Sequence, residues 1–193
     1  MNLPVVAYGS PVLRAIAKPI DKNHPGLSEL IDNMWQTMYN SNGVGLAAPQ
    51  INQSIRLFVV DTVQIVEGAE DEEEKEELKN EKPIKQLFIN AQLLEEDGKL
   101  WSYNEGCLSI PKVRADVQRS TSITMRYQDE NFVEHTKTFD GITARVILHE
   151  YDHIEGKLFI DRLMPLKRKM LAGKLNNIAK GNVSVGYKML FHK

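Results

Sequence analysis

The chain has 193 residues, enough for one domain with a hydrophobic core, and its 42% hydrophobic and 26% charged residues are ordinary for a globular protein. A formal net charge of −2 argues against a general nucleic-acid or anionic-membrane binder. No apolar run approaches the roughly 20 residues of a membrane-spanning helix, and the start shows no signal-peptide pattern. The single cysteine, Cys107, can form no internal disulfide, so these features together predict a cytoplasmic protein.

The first half of the chain predicts a helix, a buried strand and a charged insertion. Apolar residues fall on one stripe from about Ser28 to Tyr39, with Ser28 as the cap and Gly43 just past the end. The β-branched run "IRLFVV" that follows suits a buried strand. Residues 67–82 are almost all charged and are predicted to form an exposed insertion, either a loop or a short helix, within a single domain spanning 1–193.

The second half predicts several strands and then a helix with two histidines. The segments "QLFINAQLL", "VRADVQR", "SITMRYQ" and "FVEHTKTF" have strand composition, several with alternating character. A helix is predicted from about Gly141 to Glu155, with Asp140 as its cap and Gly156 as its stop. A helix after Pro165 and a last strand, "VSVGYKMLF", follow. This order predicts an α+β fold, with mixed antiparallel sheets packed around the histidine-bearing helix.

The histidine-bearing helix contains the motif His-Glu-x-x-His. His149 and His153 are one turn apart on the same face, so both can reach one metal ion. Glu150 is turned about 100° from His149, where its carboxylate can hold a water and move protons without being a ligand. A structural pair of histidines is the alternative, but a buried imidazole without a partner is costly.

Two histidines leave a catalytic ion short of a ligand, because such sites usually carry three protein groups and a water. Glu155 and Asp161, downstream of the motif, are weak candidates for the third position. Cys107, in "EGCLSIP", would complete a Cys/His/His set with the fourth position open. Its neighbouring glycine and proline indicate a special turn, although a lone cysteine is commonly just a small core residue.

Three segments together resemble the bacterial peptide deformylases. "GVGLAAPQ" (43–50), "EGCLSIP" (105–111) and "HEYDH" (149–153) are similar to the three signature motifs of that family, in the same order. "AYGSPVLRAIAKPI" is similar to its N-terminal segment, so the resemblance spans most of the chain. It implies a metal-dependent hydrolase that removes the N-formyl group from the initiator methionine of nascent polypeptides and releases formate.

The resemblance implies a role for each motif residue. The metal ligands would be Cys107, His149 and His153. Glu150 would be the general acid/base, while Gln50 and the backbone N–H of Leu108 would hydrogen-bond the oxygen that becomes negative. The family's native ion is usually Fe²⁺, with Zn²⁺, Ni²⁺ or Co²⁺ able to occupy the site. Ligand chemistry alone would instead favour Zn²⁺.

The resemblance also implies residues that bind the substrate. Gly43 and Gly45 would let an extended peptide approach the backbone closely and pair with it as a strand. By themselves these glycines could equally serve a tight turn after the first helix. The methionine side chain would lie in an apolar slot lined by Val44, Ile142 and Val146, although all three could be plain core.

Two further expectations have ordinary alternatives. Glu105 and Arg114 would pair near the substrate entrance, and the alternative is a surface ion pair of little consequence. Gln50, taken without the resemblance, would be a surface amide.

The expected partners are N-formyl-methionyl nascent peptides, with no membrane and no specific nucleic acid. A transient ribosome contact stays open, because the C-terminal "NVSVGYKMLFHK" does not resemble the long terminal helix of the enterobacterial members. Two rival functions also stay open. One is a metallopeptidase that cuts internal peptide bonds, and the other is a non-catalytic metal protein.

Overall fold

The computed structural model describes residues 1–192 and has the predicted α+β architecture. Its helices are α1 Leu27–Asn40, α2 Val63–Glu67, α3 Glu72–Leu78, α4 Gly141–Ile154 and α5 Pro165–Ala179. Its strands are β1 Val5–Val6, β2 Gly45–Ala47, β3 Leu57–Asp61, β4 Lys85–Cys107, β5 Ile110–Gln128, β6 Glu134–Asp140 and β7 Met189–Leu190. Short 3₁₀ turns occur at Pro11–Arg14, Ala48–Ile51 and Phe159–Arg162.

The main sheet is antiparallel, with strand order β2-β3-β4-β5-β6. Strands β4 and β5 form a long hairpin, and "VRADVQR" and "SITMRYQ" both lie within β5 rather than in separate strands. They join because alternating burial continues through most of β5. At the hairpin tip Cys107 pairs with Ile110 across the two-residue turn 108–109.

Helix α4 lies against the buried face of this sheet. Eleven of its fourteen residues are buried, so its polar side chains need partners within the protein. Asp140 holds the N-cap position as predicted, but its side chain makes no capping bond. Instead, Glu81 at the end of the acidic segment accepts the N–H of Ile142 at 3.0 Å. Gly156, just past the helix, has φ +69°, a left-handed conformation that glycine adopts at low cost.

One local detail differs from the predictions, and in the acidic segment the short-helix alternative is the one found. Ser28 does not cap α1, because Gly26 holds the N-cap position with φ +69° and the chain enters the helix directly from it. The acidic segment contains α3, whose Asp71 side chain accepts the N–H of Glu74 at 2.8 Å. None of the residues of α3 is buried.

The two ends of the chain meet in a small parallel sheet. Val5 pairs with Met189 and Val6 with Leu190. The predicted last strand is shorter than "VSVGYKMLF" because only this part of it lies beside β1. Among residues 1–192 no helix combines the length and the apolar character needed to cross a membrane.

Candidate active site

The tip of β4 and the middle of α4 bring three metal-ligating side chains together. Ligand atoms of Cys107, His149 and His153 all lie within 4.8 Å of one another. Cys107 Sγ is 3.3 Å from His153 Nε2, and the two imidazole ring centres are 5.2 Å apart. Metal–ligand bonds of about 2.0–2.3 Å hold donor atoms at separations of this order. The donor set therefore fits a divalent transition-metal ion.

Glu105 fixes the orientation of the His149 ring. The Nδ1 of His149 is 3.0 Å from Glu105 Oε2, which leaves the other ring nitrogen for the metal side. Glu105 is 5% exposed and also accepts hydrogen bonds from Arg119 and Arg145. Burial raises the pKa of the Glu105 carboxyl, but hydrogen bonds from Arg119 and His149 outweigh burial and hold that pKa well below its usual range.

The predicted pairing of Glu105 with Arg114 is wrong. Arg114 lies opposite Gly106 in the hairpin, whereas Glu105 lies opposite Ala115, so the two side chains point to different faces of the sheet. The exposed Arg114 guanidinium instead donates to the side-chain and backbone oxygens of Asn104, at 2.8 and 2.6 Å.

A buried ion network extends behind the histidines, and the sequence analysis missed it. Arg119 donates to Asp152 at 2.7 Å as well as to Glu105, and Arg162 donates to both Asp152 carboxylate oxygens at 2.7 Å. The sequence does contain a sign of this network. Arg119 is a charged residue at an inward-facing position of β5, where the alternating pattern predicts an apolar residue. Buried charges at such positions indicate pairing.

Glu150 lies on the cavity side of α4 and is 4% exposed. Its Oε2 has no hydrogen-bond partner among residues 1–192, and burial raises its pKa to about 7. Gly45 packs directly on this side chain, since a Cβ atom added there would lie 2.5 Å from Glu150 Oε1 and 2.8 Å from Cγ. Gly45 therefore leaves the space that the Glu150 carboxylate occupies.

Gln50 is buried rather than a surface amide, with 1% of its area exposed. The 3₁₀ turn that follows β2 carries it inward. The N–H of Ala47 donates to its Oε1 at 2.8 Å. Its Nε2 then points to Cys107 Sγ at 3.5 Å and Ser109 Oγ at 3.4 Å. The amide donor of Gln50 is thus held beside the metal-ligating sulfur.

The edge of β2 that faces away from β3 presents the backbone groups of Gly45. This strand is an edge strand of the main sheet. On its β3 side, the carbonyl of Val44 accepts the N–H of Asp61. Because hydrogen-bonding groups alternate along a strand, those of Gly45 point away from β3. Gly43 precedes β2, and its N–H donates to the Met38 carbonyl at 2.9 Å. The Gln64 side chain donates to the Gly43 carbonyl at 3.3 Å. This edge can accept an added extended peptide.

A cavity of about 470 Å³ opens beside these groups. Its lining includes the predicted site residues other than His153, namely Gly43, Val44, Gly45, Gln50, Glu105, Cys107, Leu108, Arg114, Ile142, Val146, His149 and Glu150. It also includes Ile65, Tyr103 and Tyr187, which the sequence analysis did not single out. These three lie outside the signature motifs, and no local pattern distinguishes them from other apolar or aromatic residues.

A family model described as polypeptide deformylase matches residues 2–169. The chain belongs to the polypeptide deformylase family. The peptide deformylase of Christiangramia forsetii is 53% identical over 192 residues, covering 99% of this chain and 96% of the relative. That of Flavobacterium johnsoniae is 50% identical, with the same coverage. The resemblance noted in the three motifs is confirmed.

Solved deformylase structures share the fold. The crystal structure of a peptide deformylase from Legionella pneumophila matches with a TM-score of 0.77 at 34% identity, covering 94% of this chain and 98% of that one. Peptide deformylase 1B of Arabidopsis thaliana, in complex with an inhibitor, matches with a TM-score of 0.79 at 29% identity, covering 93% and 92%. These likenesses confirm the α+β class for this deformylase.

Gly45→Ala is expected to lower the kcat of this deformylase by about 10²-fold, the typical effect of misplacing a reacting group by 1 Å. The added methyl would collide with the middle of the Glu150 side chain, not only with its mobile end. The measurement is kcat together with metal content. Gly173→Ala is the matched control, because the new Cβ on α5 would meet no side chain and no other part of the chain within 4 Å. Unchanged kcat in Gly45→Ala would show that Glu150 can move without consequence.

Glu105→Gln is expected to lower the free energy of unfolding by about 3–5 kcal/mol, because Arg145 would stay buried without its anionic partner and Arg119 would keep only Asp152. Metal affinity is also expected to fall by about 10–100-fold, since His149 loses its orienting carboxylate. Urea unfolding and metal titration measure the two effects. The control is Glu95→Gln on the exposed part of β4. Equal stabilities of the two variants would contradict the expected role of Glu105.

Proposed function

We propose that this deformylase removes the formyl group from N-formyl-methionyl nascent peptides at a divalent metal ion held by Cys107, His149 and His153. The observation that carries this assignment is the convergence of the three ligand atoms within 4.8 Å. The buried Glu150 follows His149 directly in sequence and lies in the wall of the adjoining cavity. A closed structural metal site would not need an unpartnered carboxylate facing a cavity of this size.

The reaction breaks the C–N bond between the formyl carbon and the methionine nitrogen. A divalent ion in this ligand set supplies Lewis acidity and lowers the pKa of water toward neutrality. Glu150 accepts a proton from the attacking water and then delivers a proton to the departing nitrogen. The products are formate and a peptide with a free amino terminus. The position of Glu150 beside His149 and against Gly45 supports this role.

Two donors are assigned to the oxygen that becomes negative during the attack. The Nε2 of Gln50 points toward the cysteine sulfur because its other amide atom is held by Ala47. The backbone N–H of Leu108 belongs to the residue directly after Cys107, in the cavity wall. Removal of one such donor typically lowers kcat by about 10²–10³-fold.

The peptide is proposed to lie along the free edge of β2 and to pair with Gly45 and with the Gly43 carbonyl, where it would replace the Gln64 side chain; the Gly43 N–H is held by Met38. The apolar part of the cavity wall, formed by Val44, Ile142 and Val146, would receive the methionine side chain. Arg114 would contact the peptide from the exposed side of the hairpin tip. Glu105 also lines the cavity, but its hydrogen bonds support a positioning role through His149.

The finer assignments rest on the family resemblance and the motif. We propose Fe²⁺ as the native ion, with Zn²⁺, Ni²⁺ or Co²⁺ able to replace it, and the His-Glu-x-x-His segment as the source of two ligands and the acid/base. The whole chain is proposed to act as one catalytic domain, with 67–82 as an exposed insertion. The proposed place of action is the cytoplasm. A transient ribosome contact is proposed because formylated chains emerge from the ribosome.

The deciding experiment measures formate release from formyl-Met-Ala-Ser under anaerobic conditions, with metal analysis of the same sample. We expect formate release in proportion to bound metal and no cleavage of the unformylated peptide Met-Ala-Ser. Cleavage of internal bonds in unformylated peptides would favour the metallopeptidase. A metal-loaded sample without turnover on either peptide would favour a purely structural site.

A further inference from the structure

The C-terminal segment reaches the hairpin tip that carries Cys107. The hydroxyl of Tyr187 donates a hydrogen bond to the backbone carbonyl of Leu108 at 2.8 Å, and Tyr187 also lines the cavity. The next residue, Lys188, is tied to β1, because its carbonyl accepts the N–H of Val5 at 2.9 Å. Tyr187 is therefore anchored by the sheet that joins the two chain ends.

Both carbonyls of the two-residue turn at the hairpin tip are held from outside the hairpin. The Tyr187 hydroxyl donates to the Leu108 carbonyl. The backbone N–H of Tyr8, two residues after β1, donates to the Ser109 carbonyl at 2.8 Å. The Leu108 carbonyl belongs to the peptide group between Leu108 and Ser109, so a bond to it fixes that peptide plane. The N–H of Leu108 lies in the preceding peptide group, which is joined to this plane at the Leu108 Cα. The two chain ends thus act together to set the orientation of the turn.

We infer that Tyr187 is a positioning residue for deformylation. By holding the Leu108 carbonyl it fixes the peptide plane next to the one that carries the Leu108 N–H, and so keeps that N–H in line with the oxygen of the formyl group. This inference rests on the proposed function, in which that N–H is one of the two donors to the developing negative charge. Such donors are effective only when they are aligned before the reaction, since hydrogen bonds weaken steeply with angle. Tyr187 comes from the part of the chain that does not resemble the enterobacterial C-terminus.

Tyr187→Phe in the full-length, metal-loaded enzyme tests this inference, because it removes the hydroxyl and keeps the ring. We expect kcat for formyl-Met-Ala-Ser to fall by about three- to tenfold, the worth of one typical hydrogen bond. KM and metal content are expected to stay at wild-type values, because the ring still fills its place in the cavity wall. Tm is expected to fall by only about 2–4 °C, the effect of one hydrogen bond in a chain of this size. The control is Tyr8→Phe, which changes a tyrosine whose bond to the turn is made by its backbone N–H.

Three results would overturn the inference. Wild-type kcat in Tyr187→Phe would show that the hydrogen bond has no part in the reaction. A loss of activity matched by lower metal content, or one that disappears when the assay is run far below the Tm of the variant, would assign Tyr187 to stability alone. A higher KM with unchanged kcat would make Tyr187 a substrate contact. Failure of the proposed function is distinguishable from all three, because the wild-type enzyme would then release no formate.

Discussion

Glu150→Gln is expected to lower kcat for formyl-Met-Ala-Ser by about 10²–10⁴-fold, the usual contribution of a general acid/base. Glutamine has the same shape, so it fills the space beside Gly45 without a collision, but it cannot accept a proton from water. The three metal ligands are untouched. We therefore expect metal content equal to that of the wild type, so that the loss lies in the chemical step.

The control for this substitution is Glu134→Gln, at the exposed start of β6 and outside the cavity lining. It makes the same chemical change and is expected to leave kcat unaltered. Steady-state formate release and metal analysis on both variants complete the comparison. Substantial turnover by metal-loaded Glu150→Gln would mean that another group moves the protons.

Alanine at any one of Cys107, His149 or His153 is expected to remove bound metal and abolish deformylation. Loss of an outer partner of a ligand typically costs about 10–100-fold in metal affinity, so loss of a ligand itself should cost more. Each substitution leaves two of the three converging donors. Dialysis against a weak chelator, followed by metal analysis and formate assay, measures both effects.

His192→Ala is the matched control, because His192 is exposed and is not a member of the converging group. It is expected to retain metal and activity. The ligand set would be wrong if Cys107→Ala kept wild-type metal content and rate. A Cys107→Ser variant that also kept both would confirm that the sulfur plays no part. Such a result would return Glu155 and Asp161 to consideration.

Features that depend on near neighbours in the chain were predictable. Helix α4 follows from its apolar pattern and ends within one residue of the prediction. The position of His149 and His153 on one face follows from the periodicity of any α-helix. The lack of buried residues in α3 follows from a composition that offers almost nothing to bury. These are consequences of residues one to four positions apart.

Features that depend on distant pairs were not predictable from the residues alone. Glu105 was expected beside Arg114, nine positions along, but its partners are Arg119, Arg145 and His149, which the hairpin and α4 bring to it. Gln50 became an inward-facing donor only because the turn after β2 packs against the hairpin tip.

The amino-acid sequence by itself determined the helical face with two histidines and a glutamate. It also contains only one cysteine that could join the histidines as a metal ligand. Only the tertiary structure decided that Gly45 makes room for Glu150 and that Tyr187 holds the turn after Cys107. The physical reason is that these contacts join residues 105 and 79 positions apart. No periodic pattern encodes such contacts, because they form only when separate strands, helices and chain ends pack on one core.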